Sequence, residues 1–197
     1  AAEIDSRIGT TGLDPHTVHE IKPGHAIGDR AAALGFAIRL AVRRFQAAGR
    51  LSRLRTLWCT TDRMISEVGC PHAAGLLRMG LDPGALILVE AGRTADLLWA
   101  MEEGLKSRSL ALAICLADSI EPVPARRLSL AAEAGATPAL ILTHPASAPT
   151  VSTATRWRIT AQPSAPHPLD PRAPGATRFG IAGPSSGAGT HQGSRGS

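Results

Sequence analysis

Tyrosine is absent and only three Trp and three Phe occur in 197 residues, so a core has to be assembled from Leu, Ala, Ile and Val. No stretch approaches the roughly 20 consecutive apolar residues that span a bilayer, and the N-terminus shows no basic segment followed by an apolar one. Neither a membrane span nor a signal peptide is expected, and the expected location is the cytoplasm. Cysteine is scarce: Cys59, Cys70 and Cys115 are odd in number and form no C-x-x-C, which argues against a disulfide framework or a zinc site. Cys70 and His72 amount to half of a metal site with no second pair at ligand spacing, so no metal is expected. Lysine is also nearly missing, 19 of the 21 basic residues being Arg. The net charge of +5 and pI near 10.0 permit contact with nucleic acid or another anionic partner, but bear more directly on solubility. The chain opens on Ala1 rather than Met, so some N-terminal sequence is expected to be missing.

The hydrophobic content of 44% suits one core-bearing domain with a tail better than two domains. Its centre is Leu110-Ala-Leu-Ala-Ile-Cys-Leu-Ala-Asp118-Ser119-Ile120, an apolar run that stops at a carboxylate and a hydroxyl. A run of that length between polar flanks reads as a strand buried on both faces of a parallel sheet. Open α/β sheets bind ligands at the carboxyl ends of their strands. Asp118 and Ser119 are therefore candidate site residues, the alternative being that Asp118 merely ends the strand.

Residues 1–16 carry no periodic signal and read as an N-terminal arm; the globular domain is placed at 17–160. Thr17 to Ile21 is a short strand, followed by the loop Lys22-Pro23-Gly24-His25-Ala26-Ile27-Gly28-Asp29-Arg30 that feeds a helix. Leu34, Ile38, Ala41, Val42 and Phe45 form the apolar stripe of that helix. Arg39, Arg43 and Arg44 lie on other faces, read as solvated or as a groove for nucleic acid. Thr56 to Thr60 is the next strand, with Asp62 beyond its carboxyl end. A helix over Ala73 to Met79 stops at Gly80, and Leu86 to Val89 is a strand. Thr94 is read as the cap of a helix packed through Leu97, Leu98, Met101 and Leu105, with Trp99 also packing and Glu102, Glu103 and Lys106 pointing away. Pro122 and Pro124 open a helix ending at Gly135, Ala139 to Thr143 is a strand, and Thr155 to Ile159 alternates as a final edge strand. Strands alternating with helical stretches predict βαβ units, hence a mainly parallel sheet with helices on both faces.

From Ala161 the composition turns to Pro, Gly, Ser, Ala and Thr. Residues 161–197 are read as a flexible, disordered C-terminal tail that lacks the apolar surface to offset ordering entropy. Gly183-Pro-Ser185-Ser-Gly187 fits the hydrolase pattern G-x-S-x-G, but no strand leads into it and no helix follows, so it is read as chance.

With the elements in order, Val18 to His144 resembles a RecA-type ATPase core. The passages that carry the resemblance are His19-Glu20-Ile21, Leu76-Leu77-Arg78-Met79-Gly80-Leu81-Asp82, Leu98-Trp99-Ala100-Met101-Glu102-Glu103-Gly104-Leu105 and Asp118-Ser119-Ile120. More closely, Leu97 to Glu103, Arg126 to Ala134 and Ala154-Thr155-Arg156-Trp157-Arg158-Ile159 are similar to the ImuA group of RecA-like proteins, over roughly residues 8–160. This resemblance implies a bacterial accessory factor of SOS-induced mutagenic translesion DNA synthesis, associated with the nucleoid when active. Its implied partners are translesion polymerase subunits and RecA. In the family the chain after this last passage carries further partner-contacting sequence, whereas here it is rich in Pro, Gly and Ser.

The resemblance also fixes what is altered. A phosphate-binding loop, G-x-x-x-x-G-K-[ST], cradles phosphates on backbone amides, with Lys on the β and γ groups and a hydroxyl on magnesium. The equivalent run here is Pro23-Gly24-His25-Ala26-Ile27-Gly28-Asp29-Arg30: Asp29 replaces the Lys and Arg30 the Ser/Thr. A carboxylate beside a polyanion repels it by about 1 kcal/mol or more even in a water-like dielectric, so efficient ATP hydrolysis is not expected. Gly28 still offers amide access at a helix start and Arg30 a guanidinium, leaving weak ATP and magnesium binding as the alternative. The resemblance places Asp62 where the family has its water-activating Glu, and Asp118 at the magnesium-linked Asp. The degenerate site is thus Gly28, Asp29, Arg30, Asp62, Asp118 and Ser119. The expectation is a non-catalytic interaction protein; the alternative is a nucleotide-dependent DNA-binding ATPase.

Overall fold

The computed structural model describes residues 13–48 and 54–183. The arm before Leu13, and Ser185 of the G-x-S-x-G match, lie outside them. The strands are β1 (Val18–Pro23), β2 (Arg55–Thr61), β3 (Leu86–Ala91), β4 (Leu110–Leu116), β5 (Ala139–Leu142), β6 (Thr155–Gln162) and β7 (Arg178–Ala182). The helices are α1 (Asp29–Ala48), α2 (Asp62–Val68), α3 (Ala73–Met79), α4 (Thr94–Lys106) and α5 (Pro122–Gly135).

One seven-stranded sheet runs in the order β3-β2-β4-β5-β1-β6-β7. Every neighbouring pair is parallel except β6 and β7. The apolar run at Leu110 forms β4, buried at all seven positions. Its alternation divides the core. Leu112, Ile114 and Leu116 join Trp58, Leu140, Leu142 and Trp157 under α1 and α3, while Ala113 and Cys115 join Leu57, Cys59 and Ile141 under α4 and α5. Helices therefore cover both faces, as the alternating strand and helix pattern predicts. Gly80, left-handed at φ 92°, ends α3 and donates its amide to Leu77. No described helix is long and apolar enough to cross a membrane.

The structure departs from the sequence reading at several points. β6 is not the edge strand: β7, from the stretch expected to be a structureless tail, pairs with it from Arg158↔Ala182 to Gln162↔Arg178. Two half-buried side chains of β7, Phe179 and Ile181, pack against the α1 side of the core, and that burial is what the composition of the tail concealed. Leu13, assigned to the arm, is buried in the same cluster. Arg39 is not simply solvated; its guanidinium lies 5.6 Å above the Phe179 ring. Thr94 is the first helical residue of α4 rather than its cap, which is Arg93 without a side-chain capping bond. Trp99, expected to pack, is 62% exposed. Glu102, expected to point away, is buried; it pairs with Lys106 one turn along α4 at 2.7 Å and joins α4 to α5 through Arg127 at 2.6 Å.

Candidate functional site at the carboxyl edge of the sheet

The loops after β1, β2, β4 and β5 meet along one edge of the sheet, where a parallel α/β fold offers its ligand crevice. The loop after β1 is the run Pro23 to Arg30, which the sequence resemblance aligns with a phosphate-binding loop. Its Gly24 amide donates to Ile159 of β6 at 2.8 Å. The Asp29 carboxylate turns back into the loop: Oδ2 accepts from the Ala26 amide at 2.9 Å and Oδ1 from the Ala161 amide at 2.7 Å. Asp29 is 3% exposed, and a Cβ placed on Gly24 would stand 2.2 Å from its Oδ2. A phosphate-binding loop points its amides at an anion; here an internal carboxylate takes one of them and ties the loop to β6. Gly28 is exposed, with its carbonyl accepting from Ala32 at 3.1 Å.

Arg30, next along α1, is committed elsewhere. It pairs with Glu67 of α2, which also accepts from Arg63 Nε at 3.0 Å. Arg63 in turn reaches Asp118 Oδ2 at 3.0 Å. The two guanidinium groups hold the Glu67 carboxyl below its usual range through their hydrogen bonds, against a slight opposing effect of burial. Arg30, Glu67, Arg63 and Asp118 thus form a chain of alternating charge across the crevice mouth. The cavity behind it, walled by Leu34, Met64, Leu116 and Leu142, measures about 20 Å³, room for a single water. Of the six sequence-selected residues, Arg30 and Asp118 belong to this chain and Asp29 lies behind it. Asp62 is exposed at the start of α2 on the side of Gly92. Ser119 is exposed in the wider depression beside Asp118 and His144. Among the described residues no group of three or more His, Cys, Asp or Glu is placed to hold a metal ion.

A second polar cluster brings together residues that are far apart in the sequence. Glu20, wholly buried in β1, accepts from the Thr143 hydroxyl at 2.9 Å, the Thr150 hydroxyl at 2.8 Å, the Thr150 amide and the Arg156 guanidinium. Burial alone raises its carboxyl, but the bonds from Arg156, Thr150 and Thr143 and the charge of Lys22 outweigh it and leave the group depressed. Lys22, also buried, donates to His144 O at 3.2 Å and to the Ser147 carbonyl and hydroxyl at 2.9 and 2.7 Å. These bonds fasten the helix-free connection from β5 to β6 onto β1. The one available signal is local: Glu20 and Lys22, with His19 beside them, stand in a strand whose other residues are Val18, Ile21 and Pro23, and charged groups buried there demand partners.

No family model and no curated protein matches this chain. Among solved structures it is similar to SulA from Pseudomonas aeruginosa, at 18% identity and a TM-score of 0.50, over 64% of this chain and 97% of that one. At that identity the likeness is one of fold.

Proposed function

We propose that this chain is a non-catalytic accessory factor of the bacterial SOS response, acting in mutagenic translesion synthesis by bridging error-prone polymerase subunits and RecA. The observation that carries the non-catalytic part is the Asp29 carboxylate inside the loop where a phosphate would lie. A second anion there meets like charge at short range in a partly desolvated setting, where repulsion exceeds its value in water. The Arg63 guanidinium on Asp118 works in the same direction, since it takes the carboxylate oxygen a magnesium ion would need. The SOS assignment draws on the resemblance of Leu97 to Glu103, Arg126 to Ala134 and Ala154 to Ile159 to the ImuA group. The setting that goes with this role is the cytoplasm, at the nucleoid when active.

The test is an anisotropy titration of a labelled ATP analogue with magnesium, on the wild type and on Asp118→Ala. The expected result is no saturable binding up to millimolar protein. Micromolar binding lost in Asp118→Ala would overturn the reading in favour of a nucleotide-dependent DNA-binding ATPase. The bridging role is checked by surface-immobilised RecA and polymerase subunits; failure of the chain to bind either would overturn it.

A further inference from the structure

The sheet face on which α4 and α5 pack is covered from β3 as far as β1. Beyond β1, over β6 and β7, no described helix lies on it. On that uncovered strip β6 presents Arg158, Thr160 and Gln162, and β7 presents Arg178 and Gly180; Arg158, Gln162 and Arg178 are exposed. The strip is flat because Gly180 has no side chain. A Cβ there would come within 2.3 Å of Thr160 Oγ1 and 2.9 Å of Gln162 Nε2.

Its charge is of one sign. On this face β1, β6 and β7 carry Lys22, Arg156, Arg158 and Arg178 against the single carboxylate of Glu20, which the Arg156 guanidinium already engages. Among the described residues Arg158 makes one long side-chain contact, 3.5 Å, to the Pro23 carbonyl, and neither it nor Arg178 forms an ion pair. From residue 145 to the end of the chain Asp170 is the one acidic residue, so no local sequence neutralises the strip.

We propose that this strip docks an acidic segment of a protein partner, laid across β6 and β7 where the next helix of the layer would lie. Guanidinium groups and side-chain amides are matched to carboxylates, Arg in bidentate fashion. No aromatic side chain stands on the strip to stack a base, and stacking is the usual complement to charge in binding single-stranded nucleic acid. An acidic protein segment is therefore favoured over a nucleic-acid strand. The inference rests on the contact role proposed above and names the chemistry of one partner. The two fail separately, because saturable ATP binding would end the non-catalytic reading and leave this surface untouched.

The test uses the full chain and a fluorescein-labelled 20-residue Ala/Glu helical peptide, followed by anisotropy at low and moderate salt. Binding that weakens with salt is expected. Arg158→Gln and Arg178→Gln should each lower affinity about threefold and the double variant about tenfold. Arg126→Gln on α5, which removes the same charge elsewhere, should leave it unchanged. Three results would overturn the proposal: no binding of the Ala/Glu peptide at low salt, equal losses in Arg126→Gln and the strip variants, or a 20-nucleotide single strand binding tenfold tighter than the peptide and losing that advantage in the double variant.

Discussion

Asp29 Oδ1 lies 2.7 Å from the amide nitrogen of Ala161, 132 residues further along the chain, while Oδ2 of the same carboxylate holds the amide of Ala26 within its own loop. One buried side chain thus closes a loop and anchors it to β6. Asp29→Ala leaves two amides without their charged acceptor and should cost about 2–3 kcal/mol. Asp29→Asn keeps one acceptor oxygen and should cost about half as much. Urea midpoints at unchanged m-value measure both; a loss below about 0.5 kcal/mol in Asp29→Ala would show that the carboxylate does not hold the loop.

His19 sets a pH dependence of known sign. It is 3% exposed, stacks on Trp157 at a centroid distance of 5.2 Å and bridges the hydroxyls of Thr17 and Thr155. Burial lowers its pKa to about 4, against small raising effects from Asp14. Between that value and the unfolded value of 6.5 the unfolded chain binds the extra proton, so stability falls as pH falls through this window. The loss from pH 7 to pH 5 should be about 2 kcal/mol. Glu20 responds at lower pH: its depressed carboxyl supports the fold above the usual carboxylate range and ceases to as pH falls below it. Urea unfolding of the wild type and His19→Gln at pH 7 and 5 separates the two, since the variant should lose most of the difference between those pH values.

The parts of this fold that the sequence discloses are those whose cause is local. The seven-residue run of β4 and the stripe of α1 follow from periodicity, and the Gly80 stop needs one residue in the left-handed region. β7 is hidden because its five residues stand in Pro- and Gly-rich sequence and are ordered only by the β6 edge and the α1 surface beneath Phe179. The carboxylate substitution at Asp29 is visible in the motif, but its capture of the Ala161 amide is not, because that partner is 132 residues away. For the same reason the charge of Glu20 calls for partners that the sequence does not name, since Thr150 and Arg156 lie 130 and 136 residues away.

Thiol reactivity should separate the three cysteines. Cys59 and Cys115 are register partners on the parallel pair β2 and β4, both wholly buried. Burial pushes the Cys59 thiol up to about 12 and Cys115 well above its usual range, which keeps both protonated and shielded. Cys70 is exposed. Ellman's reagent at pH 8 should titrate one thiol per native chain and three in denaturant, with the native signal lost in Cys70→Ser. Two or three fast native thiols would show that the β2–β4 core opens readily.

Two helical glycines should respond to alanine with opposite signs. In α5 a Cβ on Gly135 would stand 1.8 Å from the Leu105 carbonyl oxygen and 2.8 Å from its carbon, and this is backbone of α4, which no rotamer change can move. Alanine in a helix interior gains up to about 1 kcal/mol over glycine, but separating α4 from α5 also lifts Leu105 and strains the Glu102–Arg127 pair, 2.6 Å as built. The net effect of Gly135→Ala should be a loss of about 2 kcal/mol or more, a fall in Tm of several degrees in a chain of this size. Gly75 sits in α3 with nothing within 4 Å of an added Cβ, so Gly75→Ala should keep the propensity gain and stabilise by about 0.5–1 kcal/mol. If both variants melted at the wild-type temperature, the close α4–α5 contact at Gly135 would not exist.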